Sequence, residues 1–410
     1  MPSLRNWRKK RVTKSNDKKV PALRFKGFTD DWEQRKLEKM VNFFSGLTYH
    51  PHDVRNNGCF VIRSSNIQNN QIVSADDVFV NRSIVNVPNV EQGDIIVVVR
   101  NGSRKLIGKH ARVLSKMSNT VIGAFMTGLR SDDNGYINAL LDSDQFQKEI
   151  YKNLGSTINQ ITTGEFKKMN FMVAKESENK KIGKFFKLVD NLISLQQRKL
   201  EGFMTIKAEL LRSIFPNKVG KRDINFSDQM WKIQIMNDIF KEKNIKNEHG
   251  TLLSVSISKG IYPFSENERK NNSSNNKSNY KEVKYNDIAY NSMRMWQGAL
   301  GVSEYDGIVS PAYTVITAKK QENPLFYYYY FKNKRMLFNF RQHSQGLTSD
   351  TWNLKFPLFK KIVIQTPISK KEEQIIANLF KTLDQNIVST KMKIKKFNYI
   401  KQFFLQNMFI

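Results

Sequence analysis

IGKFFKLVDNLISLQQRKLEGFMTIKAELLRSIF, residues 182–215, returns in altered form as IANLFKTLDQNIVSTKMKIKKFNYIKQFFLQNMF, residues 376–409. The two stretches align without a gap at a shift of 376 − 182 = 194 residues. Ile182/Ile376, Phe186/Phe380, Lys187/Lys381, Asp190/Asp384, Ile193/Ile387, Lys199/Lys393, Phe203/Phe397, Lys207/Lys401, Leu211/Leu405 and Phe215/Phe409 are identical pairs. A repeat of this period is too long for a solenoid unit. It implies two half-proteins, each a globular block followed by a long helix. The helix follows from the spacing: Ile182, Phe186, Val189, Ile193, Gln196, Leu200, Phe203, Lys207, Leu210 and Ile214 step by fours and threes, the narrow seam of a coiled coil. The second copy repeats the seam from Ile376 to Met408, interrupted at the same two steps, Gln196/Thr390 and Lys207/Lys401. Polar seam residues cost stability and fix register and partner. Each helix could pack on its own block; the expectation is that the two helices pair with each other. Each is about 50 Å long, a spacer as much as a core element.

A chain of 410 residues with 40% hydrophobic content can build two or three cores. No apolar run reaches the length of a membrane span, and the basic start lacks the hydrophobic segment of a signal peptide, so a cytoplasmic protein is expected. The single Cys59 excludes an internal disulfide, and five histidines supply no Cys/His spacing for zinc. His50 and His52 flank Pro51 in what reads as a turn. Charge is the strongest compositional clue. Lys and Arg total 67 against 37 acidic residues, a formal +30, which attracts polyanions and makes nucleic acid the first candidate partner, ahead of a merely basic surface or a membrane surface. The concentrated basic run at residues 8–19 reads as a tail lending nonspecific phosphate affinity.

Block one, from about Trp32 to Phe171, carries β-rich segments at Phe60–Ile62, Ile72–Val80, Gly93–Val99 and Val121–Phe125, separated by Asn, Ser and Gly, then a helix over Asp142–Leu154. Block two, Trp231 to Ile364, echoes it with strands at Leu252–Ile257, Asp287–Asn291 and Gly307–Thr317 and a helix over Phe326–Phe340. Pro216 to Asp228 reads as a linker, and residues 265–279 as a mobile loop too polar to bury. Each block closes on a Gly, a Thr/Ser stretch and Phe-Lys-Lys before an apolar strand: GSTINQITTGEFKKMNF from Gly155 and GLTSDTWNLKFPLFKKIVI from Gly346. Between these landmarks the blocks diverge. Two copies of one scaffold with different loops suit reading two different things.

LRFKGFTDDWEQRKL (Leu23 to Leu37), VVVRNGSRKLIGK (Val97 to Lys109), GAFMTGLRS (Gly123 to Ser131) and GSTINQIT in block one, VKYNDIAYNSMRMWQGALGVSEYDGIVSPAYTV (Val283 to Val315) in block two, and PISKKEEQIIANLFKTLDQNI (Pro367 to Ile387) occur in an order that resembles the specificity subunit of type I restriction-modification enzymes over essentially the whole chain. The resemblance implies an α+β fold: two similar mixed α/β target recognition domains separated by two long paired antiparallel helices, a coiled-coil spacer, with pseudo-two-fold internal repeat. It divides the chain into a basic tail (1–22), recognition domain one (23–174), spacer helix one (175–216), a linker (217–229), recognition domain two (230–367) and spacer helix two (368–410). It further implies that each domain reads one half of an interrupted double-stranded DNA target, with the helices as a ruler. Two modification subunits would supply S-adenosylmethionine and the adenine methyltransferase sites, and restriction/translocase subunits would use ATP and Mg. This chain itself is expected to bind no cofactor. Glu176-Ser177-Glu178 departs from the pattern, standing where a Pro-containing start and a Glu-Gln pair are usual, and shifts the expected start of the first spacer helix by a few residues.

The residues agree that catalysis lies elsewhere. Gly108-Lys109, Gly183-Lys184 and Gly220-Lys221 all lack the upstream Gly and following Ser/Thr of a Walker loop. Asn323-Pro324-Leu325-Phe326 lacks the second Pro of a methyltransferase loop and reads as a helix start; Glu282-Val283-Lys284 is a chance fragment in a Lys-rich chain. The DNA-reading candidates stand at strand ends. They are Arg63, Ser64 and Asn66 after one strand and Arg100, Asn101, Ser103, Arg104 and Lys105 after another around Gly102. In block two they are Ser256, Ser258, Lys259, Asn291, Ser292, Arg294 and Gln297, with Met295 and Trp296 as apolar contacts. Arg suits bidentate pairing with guanine and Asn or Gln with adenine, whereas Lys and Ser more often hold phosphates. Any one of them can instead be a surface or turn residue; as clusters they favour DNA. A standalone DNA-binding or regulatory protein of the same architecture remains the alternative function.

Overall fold

Trp32 and Trp231 open their blocks buried, and the chain beside each runs out as a short strand paired antiparallel with the strand that ends the block. Glu33–Lys36 pairs with Asn170–Val173, and Lys232–Ile235 with Val363–Thr366, so both ends of each block are tied together at the root of a long helix. The computed structural model describes residues 20–154, 159–216, 221–227, 230–266, 276–319 and 321–410. The basic run 8–19, the first residues of the Gly155 segment, parts of the linker and most of the 265–279 loop lie outside these.

Each block is built on the same antiparallel four-stranded sheet. In block one the strand order is Asn42–Ser45, Met126–Arg130, Ile95–Val98, His110–Arg112; in block two it is Phe240–Glu242, Tyr313–Ala318, Ile288–Asn291, Leu300–Val302. Ile95–Val98 is a continuous apolar run because both of its faces are covered, and every one of its residues is buried. A second layer in block one holds Thr120–Ile122 parallel to Cys59–Ile62, joined by Val78–Val80. Block two keeps this layer as two separate ladders, Leu253–Ser256 with Gly260–Pro263 and Lys281–Val283 with Gly307–Val309.

Block one adds a helix ahead of the one expected over Asp142–Leu154, and block two's expected Phe326–Phe340 is split in two. In block one, α1 (Asn134–Asp142) and α2 (Asp144–Asn153) meet at Ser143; in block two, α4 (Pro324–Lys332) and α5 (Lys334–Gln342) meet at Asn333, whose side chain caps α5. Asn favours such a break because it bonds backbone N–H groups outside a helix interior, whereas the Ser143 hydroxyl donates back to Leu140 O. Asn323 accepts from Leu325 N and Phe326 N and so starts α4 as a helix cap. The expected strand Ile72–Val80 is interrupted, Gln71–Ile72 and Val78–Val80 being separate. Met126–Arg130 forms a central strand despite Gly128. The glycine is needed there, since a Cβ would stand 2.0 Å from the Phe44 ring.

The two long helices are α3 (Glu176–Ser213) and α6 (Lys370–Met408). Their matched carboxylates Glu178 and Glu372 are both buried near the helix start. Arg24 binds Glu178 at 2.7 Å, while Arg222 at 2.8 Å and the Trp231 indole at 3.0 Å bind Glu372. The unusual Glu-Ser-Glu thus leaves the first helix starting at the same point of the repeat as the second.

The chain forms two compact units, residues 1–196 with 393–410 and residues 197–392. Each unit contains the first part of one long helix and the last part of the other, antiparallel to it. In unit one Phe185 meets Phe404 at 4.9 Å, and Phe409 lies 6.2 Å from Trp32, 5.9 Å from Tyr136 and 6.0 Å from Phe186. In unit two Phe215 stacks 4.8 Å from Tyr330 and 5.9 Å from Phe380. The last aromatic of each long helix therefore completes the core of the other half's block. The seam lysines are paired in the same way, Lys401 with Asp190 at 2.7 Å and Lys207 with Asp384 at 2.5 Å.

Candidate nucleic-acid interface

The buried strand Ile95–Val98 delivers Arg100 to the surface, and the backbone N–H groups of Val99 and Arg100 both bond Phe125 O. The Arg100 guanidinium lies 4.8 Å over the exposed Phe125 ring. Asn101 ties this segment to the neighbouring strand end: its Nδ2 donates to Ser64 Oγ at 2.9 Å, and its Oδ1 accepts from Ser103 N at 2.9 Å. Asn159 adds a bond to Gly102 O at 3.0 Å. Ser103, Arg104 and Lys105 are exposed on the short turn that follows. Arg63 is held by the Asp76 carboxylate at 2.6 Å. The structure thus brings Arg100, Asn101, Ser103, Arg104 and Lys105 together with Ser64.

Asn66 is a correction to the sequence reading. It is wholly buried, its Nδ2 bonded to Val73 O, Ala75 O and Asp77 Oδ1 and its Oδ1 to Arg63 N, so it shapes the loop and has no edge left for a base.

In block two Ser256 Oγ accepts from Lys259 N, Ser258 and Lys259 are exposed, and the Lys259 ammonium lies 4.9 Å over Tyr262. Asn291 Oδ1 accepts from Met293 N at 3.0 Å, which turns the chain so that Arg294 is exposed and Gln297 half-buried. Ser292 is a second correction: it is buried, sharing a 2.8 Å bond with Thr314 Oγ1. Met295 is a third, an interior side chain with no exposed surface. Trp296 is half-buried and stands edge-on to Trp352 with centroids 5.1 Å apart, and Arg341 covers Trp352 at 4.7 Å. Trp352 and Arg341 were not singled out from sequence; a tryptophan inside the polar Thr/Ser stretch after Gly346 was the available signal.

Both strands that carry candidate segments start beside a buried aspartate that sequence reasoning also passed over. Asp94 accepts from Glu91 N at 2.7 Å and from Arg130 at 2.9 Å. Asp287 accepts from Lys284 N at 2.8 Å, Lys243 at 2.9 Å and Thr317 Oγ1 at 2.6 Å. The hydrogen bonds that Arg130 donates to Asp94 raise the Arg130 pKa, so that cation stays charged. These are fully bonded carboxylates that fix strand ends, and nothing in their surroundings suggests a reacting group. No helix among the described residues is long and apolar enough to cross a membrane.

The family model described as the type I restriction modification DNA specificity domain matches this chain twice, over residues 29–202 and 228–398. The MjaVIII specificity subunit of a type I restriction enzyme from Methanocaldococcus jannaschii is 24% identical over 208 residues, 48% of this chain and 48% of that protein. The EcoKI specificity subunit of Escherichia coli is 24% identical over 160 residues, 37% of this chain and 34% of that protein. The matched part thus spans about half or less of these relatives. The crystal structure of a type I restriction-modification S subunit from M. genitalium superposes with a TM-score of 0.63 at 14% identity, covering 95% of this chain and 99% of that one, which establishes likeness of fold.

Proposed function

Because the chain belongs to the type I restriction modification DNA specificity family and carries two copies of its domain, we propose that it is the specificity subunit of a type I restriction-modification complex. In this reading it is a cytoplasmic, non-catalytic, sequence-specific DNA-binding subunit. Block one reads one half of a bipartite asymmetric target and block two the other. Adenine methylation or cleavage is left to partners: two modification subunits with S-adenosylmethionine, and restriction/translocase subunits with ATP and Mg. The observation that carries the reading is the repeated sheet. One strand order presents Arg100–Lys105 in block one and Asn291–Gln297 in block two, the same platform with different donors and acceptors. With Asn66 and Ser292 withdrawn, the proposed contacts are Ser64, Arg100, Asn101, Ser103, Arg104, Lys105, Ser256, Ser258, Lys259, Asn291, Arg294 and Gln297, with Arg63 orienting its loop.

The test is methylome sequencing of cells that carry the chain and its modification subunit. Replacing residues 230–367 with the equivalent block of a relative changes one half of the methylated motif and leaves the other intact; a change in both halves sinks the modular reading. Within block one, Arg100→Ala and Arg104→Ala relax base choice in the other half by about 1–3 kcal/mol each. Uniform weakening on all sequences would instead make them phosphate contacts.

A further inference from the structure

Lys332, the last residue of α4, has a half-buried side chain whose ammonium bridges the two candidate reading segments of block two. Nζ donates to Ile257 O at 3.0 Å and to Gly298 O at 2.5 Å and lies 5.4 Å from the centre of the Tyr328 ring. Ile257 stands between Ser256 and Ser258, and Gly298 directly follows Gln297. The strands that follow the two segments pack closely through their backbones: a Cβ on Gly301 would stand 2.5 Å from Ile261 N and 2.9 Å from Gly260 Cα. Gly298 holds a left-handed φ of 81°, which aims its carbonyl at the lysine and which a side chain would strain.

We propose that Lys332 is the positioning residue that locks the Ser256–Lys259 and Asn291–Gln297 segments into one reading surface, and so sets the specificity of block two. The inference rests on the proposed DNA-reading role of these segments. Charge-assisted bonds from one ammonium to two carbonyls are stronger than neutral ones and act only while both segments hold their places. Block one needs no such lysine, because Asn101 bonds Ser64 directly across the corresponding strand ends. The charged groups that act on Lys332 are Lys207 and Asp384 on the long helices. Burial, and after it Lys207, lower the Lys332 pKa against the opposing charge of Asp384, to about 8 in all, so the ammonium form prevails at neutral pH.

The experiment is hydrogen exchange on the full chain, read segment by segment, for wild type, Lys332→Met and Lys332→Arg. Lys332→Met should speed exchange about tenfold or more in residues 256–260 and 291–300 and leave 100–105 unchanged, with Lys332→Arg recovering part of the protection. In the complex with the modification subunit, discrimination at the block-two half-site should fall about tenfold while the block-one half-site is read as before. Unchanged exchange in both segments overturns the tie. Loss of protection throughout unit two, unrelieved by Lys332→Arg, also overturns it, by making Lys332 a core-stability residue. Loosened segments with undiminished block-two discrimination overturn the specificity role and place the reading surface elsewhere. Failure of the wild-type complex to methylate any bipartite site would be a failure of the proposed function and would leave the exchange result standing.

Discussion

In unit one the first block helix ends in Asp142, and Lys401 reaches both Asp142 at 2.6 Å and Asp190 at 2.7 Å, with His110 Nε2 3.2 Å from the far oxygen of Asp142. In unit two the first block helix ends in Lys332, which turns to backbone carbonyls, while Lys207 takes one oxygen of Asp384 and the Tyr329 hydroxyl donates to the other at 2.9 Å. The long helices contribute the same two charges to both units; the blocks contribute opposite ones. A helix pair repeated along the chain keeps its seam because each copy must fit the other. A block is free to change sign at the contact, provided that it keeps the buried lysine or aspartate bonded.

If that is the rule, the shared residues carry the largest energies. Phe409→Ala and Phe215→Ala remove buried rings from cores built by other parts of the chain, and each should cost about 3–5 kcal/mol. The effect should be assigned by unit. Phe215→Ala loosens residues 230–392 and spares block one, although it closes the helix that begins beside block one; Phe409→Ala does the reverse. Segment-resolved hydrogen exchange reads this directly, and equal loosening of both blocks by either variant would break the comparison.

The seam lysines come next, and here the units should part. Lys401 and Asp142 are 11% and 8% exposed in their side chains, Lys207 and Asp384 23% and 34%. Lys401→Met takes the ammonium from the buried Asp142, which keeps His110, and from the half-buried Asp190, and should cost about 3 kcal/mol. Lys207→Met leaves Asp384 bonded to Tyr329 and better hydrated, and should cost about 1 kcal/mol. Urea titrations of the two variants settle the order; equal losses would show that the block's charge does not matter.

Sequence periodicity exposed the helix pair because a seam needs only local spacing to be visible. It flagged Lys207 and Lys401 as polar interruptions and Asp190 and Asp384 as a repeated pair, but not that one answers the other, because that contact is made only when the helices lie antiparallel. The candidate segments stand out for a similar local reason: a polar run after an apolar strand marks a strand end. Which of their side chains face out was not visible. Asn66 is claimed by carbonyls at Val73 and Ala75, and Ser292 by Thr314, all supplied by the folded surroundings. Gly128 hid a central strand because its reason for being glycine, the Phe44 ring, lies on another strand. The sign change from Asp142 to Lys332 was legible as residues and opaque as chemistry until both were seen to end the same helix.

That sign change makes the most pointed prediction. Burial pushes the Asp142 carboxyl up, but the facing His110 and Lys401 outweigh it and hold the pKa at about 2. Its unfolded value is near 4, so the stability it contributes is present above about pH 4 and is lost as pH falls toward 2, about 2 kcal/mol in all. Lys332 also titrates lower folded than unfolded, yet for a base the consequence is inverted. Its folded value of about 8 lies below an unfolded value near 10.5, so between them the unfolded chain binds more protons and unit two gains stability as pH rises. Hydrogen exchange in each block should therefore respond at opposite ends of the pH scale. Asp142→Asn should flatten the acid-side loss in block one and leave the alkaline side alone; Lys332→Met should remove the alkaline-side gain in block two and leave the acid side alone. If both variants shift the same limb, the two positions are not equivalent and the comparison fails.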